Sequence, residues 1–84
     1  MDMYTNRTRI ATVYGIPNCE FCEKAKTLLH SKQNYVTYEI NLDKEPEVRQ
    51  TVKNNYGSTV PQIVIDGVYI GGYKELQEHL DQWT

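Results

Sequence analysis

Cys19-Glu20-Phe21-Cys22 stands where the hydrophobic period of the chain changes, and that change constrains the fold more than any other feature of the sequence. Before it, Ile10-Ala11-Thr12-Val13-Tyr14 is β-branched and aromatic, is closed by Gly15 and Pro17, and reads as a strand. After it, Phe21, Ala25, Leu28 and Leu29 recur at i, i+4, i+7 and i+8. Cys22, Ala25 and Leu29 follow the same face, so an amphipathic helix is predicted to begin at or just after Cys19. The cysteine pair therefore falls at a strand-to-helix turn, with its first sulfur at the helix N-terminus.

That position has chemical consequences. First-turn N–H groups have no partners inside the helix, and with the aligned peptide dipoles they favour negative charge. Cysteines so placed have their pKa brought from about 8.5 into the range of roughly 3.5–7.5. Cys22, one turn along, lies deeper and stays a thiol until a disulfide reaches Cys19. The spacing lets the second sulfur attack the first, so the pair can cycle between dithiol and disulfide. Three other uses of two cysteines compete. A structural disulfide across so short a loop removes little unfolded-state entropy. A zinc site needs further ligands, and the only histidines, His30 and His79, are far apart and lack finger-like spacing, so no metal site is expected. Two inert core cysteines fit poorly with a C-x-x-C at a βα junction.

The 84 residues suffice for one domain with a modest core. A net charge of −2 with no basic stripe argues against nucleic acid as the main partner. No apolar run approaches the ~18 residues of a membrane span, so no membrane is expected as partner. No signal-peptide core precedes Ile10. A lone C-x-x-C in such a chain points to the reducing cytoplasm, where such pairs are usually catalytic.

Residues 1–9 are polar and aperiodic and read as a flexible lead-in whose last residues extend the first strand, with Arg7 and Arg9 solvated. The domain is taken as residues 10–84. Beyond the cysteine helix and a polar break at Ser31-Lys32-Gln33-Asn34, Tyr35 to Ile40 reads as a second strand. The intervening helix makes the two strands a right-handed parallel βαβ unit. Asp43 is the expected N-cap of a second helix, with Pro46 in its first turn, Val48, Val52 and Tyr56 on its apolar face, and Gly57 at its end. Gln62-Ile63-Val64-Ile65 and Val68-Tyr69-Ile70 flank Asp66-Gly67, a strong hairpin signal. Gly71-Gly72 opens a last helix with Tyr73, Leu76, Leu80 and Trp83 on its apolar face. The order βαβαββα predicts an α/β fold, a mixed four-stranded sheet with helices on both faces.

Three motifs now stand together: Cys19-x-x-Cys22, then Thr59-Val60-Pro61 before the third strand, then Gly71-Gly72-Tyr73-Lys74-Glu75-Leu76 at the last helix. The set resembles the glutaredoxins, small proteins of the thioredoxin-like fold, over roughly residues 10–83. C-x-x-C alone is a weak signal; joined to the other two it is a strong one, because most other thioredoxin-like proteins lack the double glycine. The resemblance implies Cys19 as nucleophile and Cys22 as resolving thiol, a redox-active Cys19–Cys22 disulfide, and glutathione as reductant. It implies that Pro61 is cis and leaves the Val60 backbone free to pair with the cysteinyl unit of glutathione. Thr59, Val60, Pro61, Gly72, Tyr73, Lys74, Glu75, Arg49 and Phe21 are then the glutathione-binding positions. Free N–H groups at Gly72-Tyr73-Lys74-Glu75 would hold the γ-glutamyl carboxylate, and the Glu75 side chain its ammonium. Implied partners are disulfide-bonded or glutathionylated proteins, ribonucleotide reductase among them, met by a monomer.

Two departures qualify the match. Glu20-Phe21 replaces the family's common Pro-Tyr, setting a carboxylate beside Cys19. Ile16 stands where the family tends to carry a basic residue for the glycyl carboxylate, which shifts that load to Arg49. The leading expectation is a glutathione-dependent thiol–disulfide oxidoreductase. Its alternatives are a redoxin served by thioredoxin reductase and a carrier of a glutathione-ligated [2Fe–2S] cluster, for which four thiolates suffice.

Overall fold

In a computed structural model that describes residues 8–82, the sheet assembles around β1 (Arg9–Gly15). β2 (Tyr35–Asn41) pairs with it in parallel, β3 (Gln62–Ile65) pairs antiparallel on its other edge, and β4 (Val68–Gly71) pairs with β3. The strand order is β2-β1-β3-β4. Strand side chains alternate between faces, so the register Val13↔Ile63 and Ala11↔Ile65 puts four apolar residues on one side. Helices α1 (Glu20–His30) and α3 (Tyr73–Gln82) cover that side with Ala25, Leu29, Leu76 and Leu80. Leu29, Ile63 and Leu76 are the largest fully buried side chains there, each stabilised by roughly 1.5–3 kcal/mol on leaving water. Tyr14 alternates to the opposite face, where it shares a cleft with Val48, Val52 and Tyr56 of α2 (Pro46–Asn55) and its C-cap. The predicted βαβαββα order and mixed sheet are thus observed, with helices on both sides.

Local signals act where expected. Asp66 (φ 51°) and Gly67 (φ 81°) turn the β3–β4 hairpin through the left-handed region that a two-residue turn of this kind requires. The Asp66 carboxylate also accepts from the Ile10 N–H (2.9 Å) and from Arg9 Nη1 (3.0 Å), fastening the hairpin to the start of β1. Arg9 thus extends the first strand, as expected of the end of the lead-in, but its side chain is ion-paired with Asp66. Arg7 and Trp83 lie outside the described residues.

Two further expectations are corrected. Glu45, not Asp43, is the N-cap of α2, and it makes no side-chain cap bond. Asn41 Oδ1 takes the Asp43 N–H (2.9 Å) in a local turn, and the Asp43 carboxylate turns instead to Arg49. Phe21 leaves the buried face of α1, which runs through Cys22, Ala25 and Leu29, and is 51% exposed. No helix among the described residues is long and apolar enough to cross a membrane.

Candidate active site

The turn after β1 passes through Asn18 (φ 60°) and delivers Cys19 as the N-cap of α1, with an extended backbone. Its Sγ accepts the Cys22 N–H at 3.2 Å, and its carbonyl accepts the Glu23 N–H at 3.1 Å. The sulfur thus takes up one of the N–H groups that a helix start leaves unpaired. A disulfide joins Cys19 to Cys22, with the Cα atoms 5.2 Å apart. Cys19 is half-buried and Cys22 is 3% exposed. Gly15 permits that depth: a Cβ there would stand 2.8 Å from Cys22 Sγ. The Glu20 carboxylate extends along the helix to Lys24 Nζ (3.3 Å), and the Lys24 ammonium lies 5.2 Å from the Phe21 ring centre.

Two further segments meet each other. Val60–Pro61 is a cis peptide, and Pro61 is buried. Behind it, the buried Gln62 side chain braces the loop, its Nε2 donating to Thr59 O (2.9 Å) and Thr59 Oγ1 (3.1 Å). Tyr69 donates its hydroxyl to Gln62 Oε1 (2.6 Å), and its ring stacks on Tyr56 at 4.4 Å. Gly71-Gly72 comes against the same loop, since a Cβ at Gly72 would lie 3.6 Å from Pro61 O. The Glu75 carboxylate folds back to accept the Gly72 N–H at 2.9 Å, as the acid of a capping box does. Gly71 (φ 126°) makes room for that fold, a Cβ there falling 2.9 Å from Glu75 Cβ and Cγ. Tyr73 packs against the core and reaches Phe21, ring centres 5.9 Å apart, while Lys74 is exposed.

Arg49 lines a cleft of about 100 Å³ with Leu42, Val52, Lys53, Thr59 and Val60. Its guanidinium is already paired with Asp43 (2.6 Å). Lys53, one turn along α2, forms no ion pair among the described residues and stands on the same cleft. Sequence reasoning passed over Lys53; its i+4 spacing from Arg49 was the available signal. Gln62 was also missed, read only as a strand residue. A third omission is Lys26, whose ammonium is paired with Glu23 (2.9 Å) and with Glu39. Hydrogen bonds to those two carboxylates raise its pKa above the ordinary lysine value. No group of three or more His, Cys, Asp or Glu side chains among the described residues is arranged to hold a metal ion.

The glutaredoxin family model matches residues 11–70. The chain belongs to the glutaredoxin family. Among curated glutaredoxins, it is 40% identical over 67 residues to glutaredoxin 1 of Rickettsia prowazekii, covering 76% of this chain and 70% of that one. The solution structure of the dithiolic glutaredoxin 2-C-Grx1 of Trypanosoma brucei brucei superposes with a TM-score of 0.68 at 29% identity, over 87% of this chain and 77% of the other. The buckwheat glutaredoxin–glutathione complex superposes with a TM-score of 0.73 at 26% identity, over 86% and 69%. This glutaredoxin thus has the thioredoxin-like architecture expected of its motifs, and the family carries thiol–disulfide oxidoreductase activity.

Proposed function

We propose that this glutaredoxin reduces glutathione mixed disulfides and protein disulfides in the cytoplasm, as a monomer, with glutathione as its reductant. The observation that carries the reading is the Cys19 sulfur at the α1 N-cap, where it accepts a main-chain N–H while Cys22 lies beneath it. Reduced, Cys19 attacks one sulfur of the substrate disulfide, forming a mixed disulfide and releasing the other sulfur as thiolate. With a glutathionylated protein, the bond left on Cys19 is to glutathione. A second glutathione thiolate attacks that glutathione sulfur, leaving oxidised glutathione and the Cys19 thiolate. With a protein disulfide, Cys22 attacks Cys19 instead, closing the Cys19–Cys22 disulfide and freeing the protein dithiol.

Three segments supply a docking track for glutathione in this reading. Val60 offers main-chain groups beside Pro61, to which an extended peptide can add as a strand does. The N-terminus of α3 at Tyr73, Lys74 and Glu75 favours the γ-glutamyl carboxylate, and the Glu75 carboxylate its ammonium. Arg49 and Lys53 share the cleft with Thr59 and Val60 and suit the glycyl carboxylate. Exposed Phe21, in contact with the partly buried Tyr73 ring, adds an aromatic edge next to Cys22 in the chain.

A second reading, reduction by thioredoxin reductase, is favoured by Ile16, which puts an apolar side chain where a basic one would grip glutathione. Supplying NADPH with glutathione plus glutathione reductase, or with thioredoxin reductase, separates the two by which supports turnover. Single cysteine variants test the chemistry. Cys19→Ser abolishes all exchange. Cys22→Ser keeps deglutathionylation, loses most activity on protein disulfides and takes up one glutathione, on Cys19. A Cys22→Ser protein that accepts glutathione yet turns nothing over overturns the glutathione-resolved route.

A further inference from the structure

Cys22 meets two environments. One side is bonded to Cys19; the other faces a cavity of about 280 Å³ between α1, β1 and β2. Its titratable lining is Cys22, Glu23 and Lys26 from α1 and Glu39 from β2, while β1 and the turn after it contribute only uncharged residues. On its far side α1 meets α3 through the Phe21–Tyr73 contact, away from this cavity. At a share of about 30 Å³ per water in the liquid, the space has room for several waters.

When Cys22 resolves a mixed disulfide it must lose a proton, and at 3% exposure it has little direct contact with bulk water. Lys26 cannot accept the proton, since its hydrogen bonds to Glu23 and Glu39 keep it charged. Glu39 stands opposite Val13 in the β1–β2 register, so it rises from the core-facing side of the sheet beneath α1. The mostly buried Lys26 side chain, 15% exposed, holds its carboxylate at the cavity, while the Glu39 side chain remains 58% exposed to solvent.

We propose that Glu39, positioned by Lys26, is the group through which the Cys22 proton leaves during resolution. This rests on the dithiol route above. The Cys22 S–H proton crosses the cavity to the Glu39 carboxylate, and the freed pair on Cys22 Sγ attacks Cys19 Sγ. The Cys19–Cys22 bond forms, the Cys19–substrate S–S bond breaks, and the substrate sulfur departs as thiolate with the bonding pair. Glu39 then passes its proton to solvent. One disulfide is exchanged for another, and no further oxidant or reductant is consumed.

Rapid mixing of the reduced protein with a chromogenic aromatic disulfide separates the steps, because Cys19 releases the first coloured thiol and Cys22 the second. Glu39→Gln is expected to leave the first phase unchanged and slow the second by roughly a hundredfold near neutral pH, the low end for general-base catalysis. Its second phase climbs with pH where that of the wild type is level, and Glu39→Asp recovers part of the rate. A Glu39→Gln second phase that is unchanged or faster overturns the proposal: a carboxylate acting only as a nearby charge would raise the thiol pKa, and its removal would speed resolution. A wild-type protein that shows no first phase overturns the oxidoreductase reading and this proposal with it.

Discussion

Replacing Gly15 by alanine tests whether the depth of Cys22 is set by the absence of a side chain on β1. The added methyl would fall 2.8 Å from Cys22 Sγ and 3.2 Å from its Cβ, closer than carbon and sulfur can approach. Overpacking of this kind costs about 1–3 kcal/mol. The alanine also restricts the unfolded chain, which offsets about 0.4–1 kcal/mol. Taking the middle of each range, a net loss of about 1.3 kcal/mol remains, and at about 4–8 °C per kcal/mol for a domain of this size the oxidised protein should melt roughly 5–10 °C lower. The reduced protein should lose less. A free Cys22 thiol can rotate toward the adjacent cavity, whereas the disulfide pins the sulfur against residue 15. The difference between the two losses appears in the redox equilibrium, with about 30 mV less reducing potential for each 1.4 kcal/mol. Thermal unfolding of both forms and equilibration against a glutathione buffer measure the two quantities. Equal losses in both forms, or an oxidised form that melts within about 2 °C of wild type, would refute the account.

Other perturbations address the surroundings of the pair. Lys53→Ala and Arg49→Ala should each raise KM for a glutathionylated substrate, by about ten- to a hundredfold for a full charged contact; Lys53 should have the larger effect, because Asp43 already engages Arg49. Tyr69→Phe leaves the buried Gln62 Oε1 without its donor and should cost about 1–3 kcal/mol in thermal unfolding, with kcat/KM falling as the Thr59–Val60 loop loosens. Burial raises the pKa of Tyr35, so the neutral phenol is the form the fold prefers. Its contribution to stability is complete below the unfolded tyrosine pKa of about 10 and is lost as pH rises through the higher folded value. Lys26 has the same sign. Tyrosinate absorbance and melting temperature against alkaline pH should show Tyr35 ionising late, and Tyr35→Phe should remove that late step.

Periodicity made most of the fold legible. Ala11, Val13, Ala25, Leu29, Leu76 and Leu80 could be assigned to a core because strand alternation and helical spacing each bury one face. The candidate site was legible where motifs mark it: Cys19 sits at its cap and Pro61 is cis. What escaped depends on registers that no local pattern reports. Lys26 and Glu39 meet only because β2 pairs with β1 at Glu39↔Val13. Gln62 is a polar residue at a strand entrance, which usually faces water; here its amide turns under Thr59 and is satisfied on both sides. Asp43 has good cap chemistry, but Asn41 and Arg49 compete for its backbone and carboxylate.

The Asp66 fastening lies at the opposite end of β1 from the cysteines. Six strand steps of about 3.3 Å separate Arg9 from Gly15, so the clasp and the sulfurs are roughly 20 Å apart. Val68, on the same hairpin and 62% exposed, offers a point of attachment on the rear of the molecule. A tether or an electrode linker joined there would leave the Cys19 end turned outward, so the immobilised protein could exchange disulfides with macromolecules as freely as it does in solution.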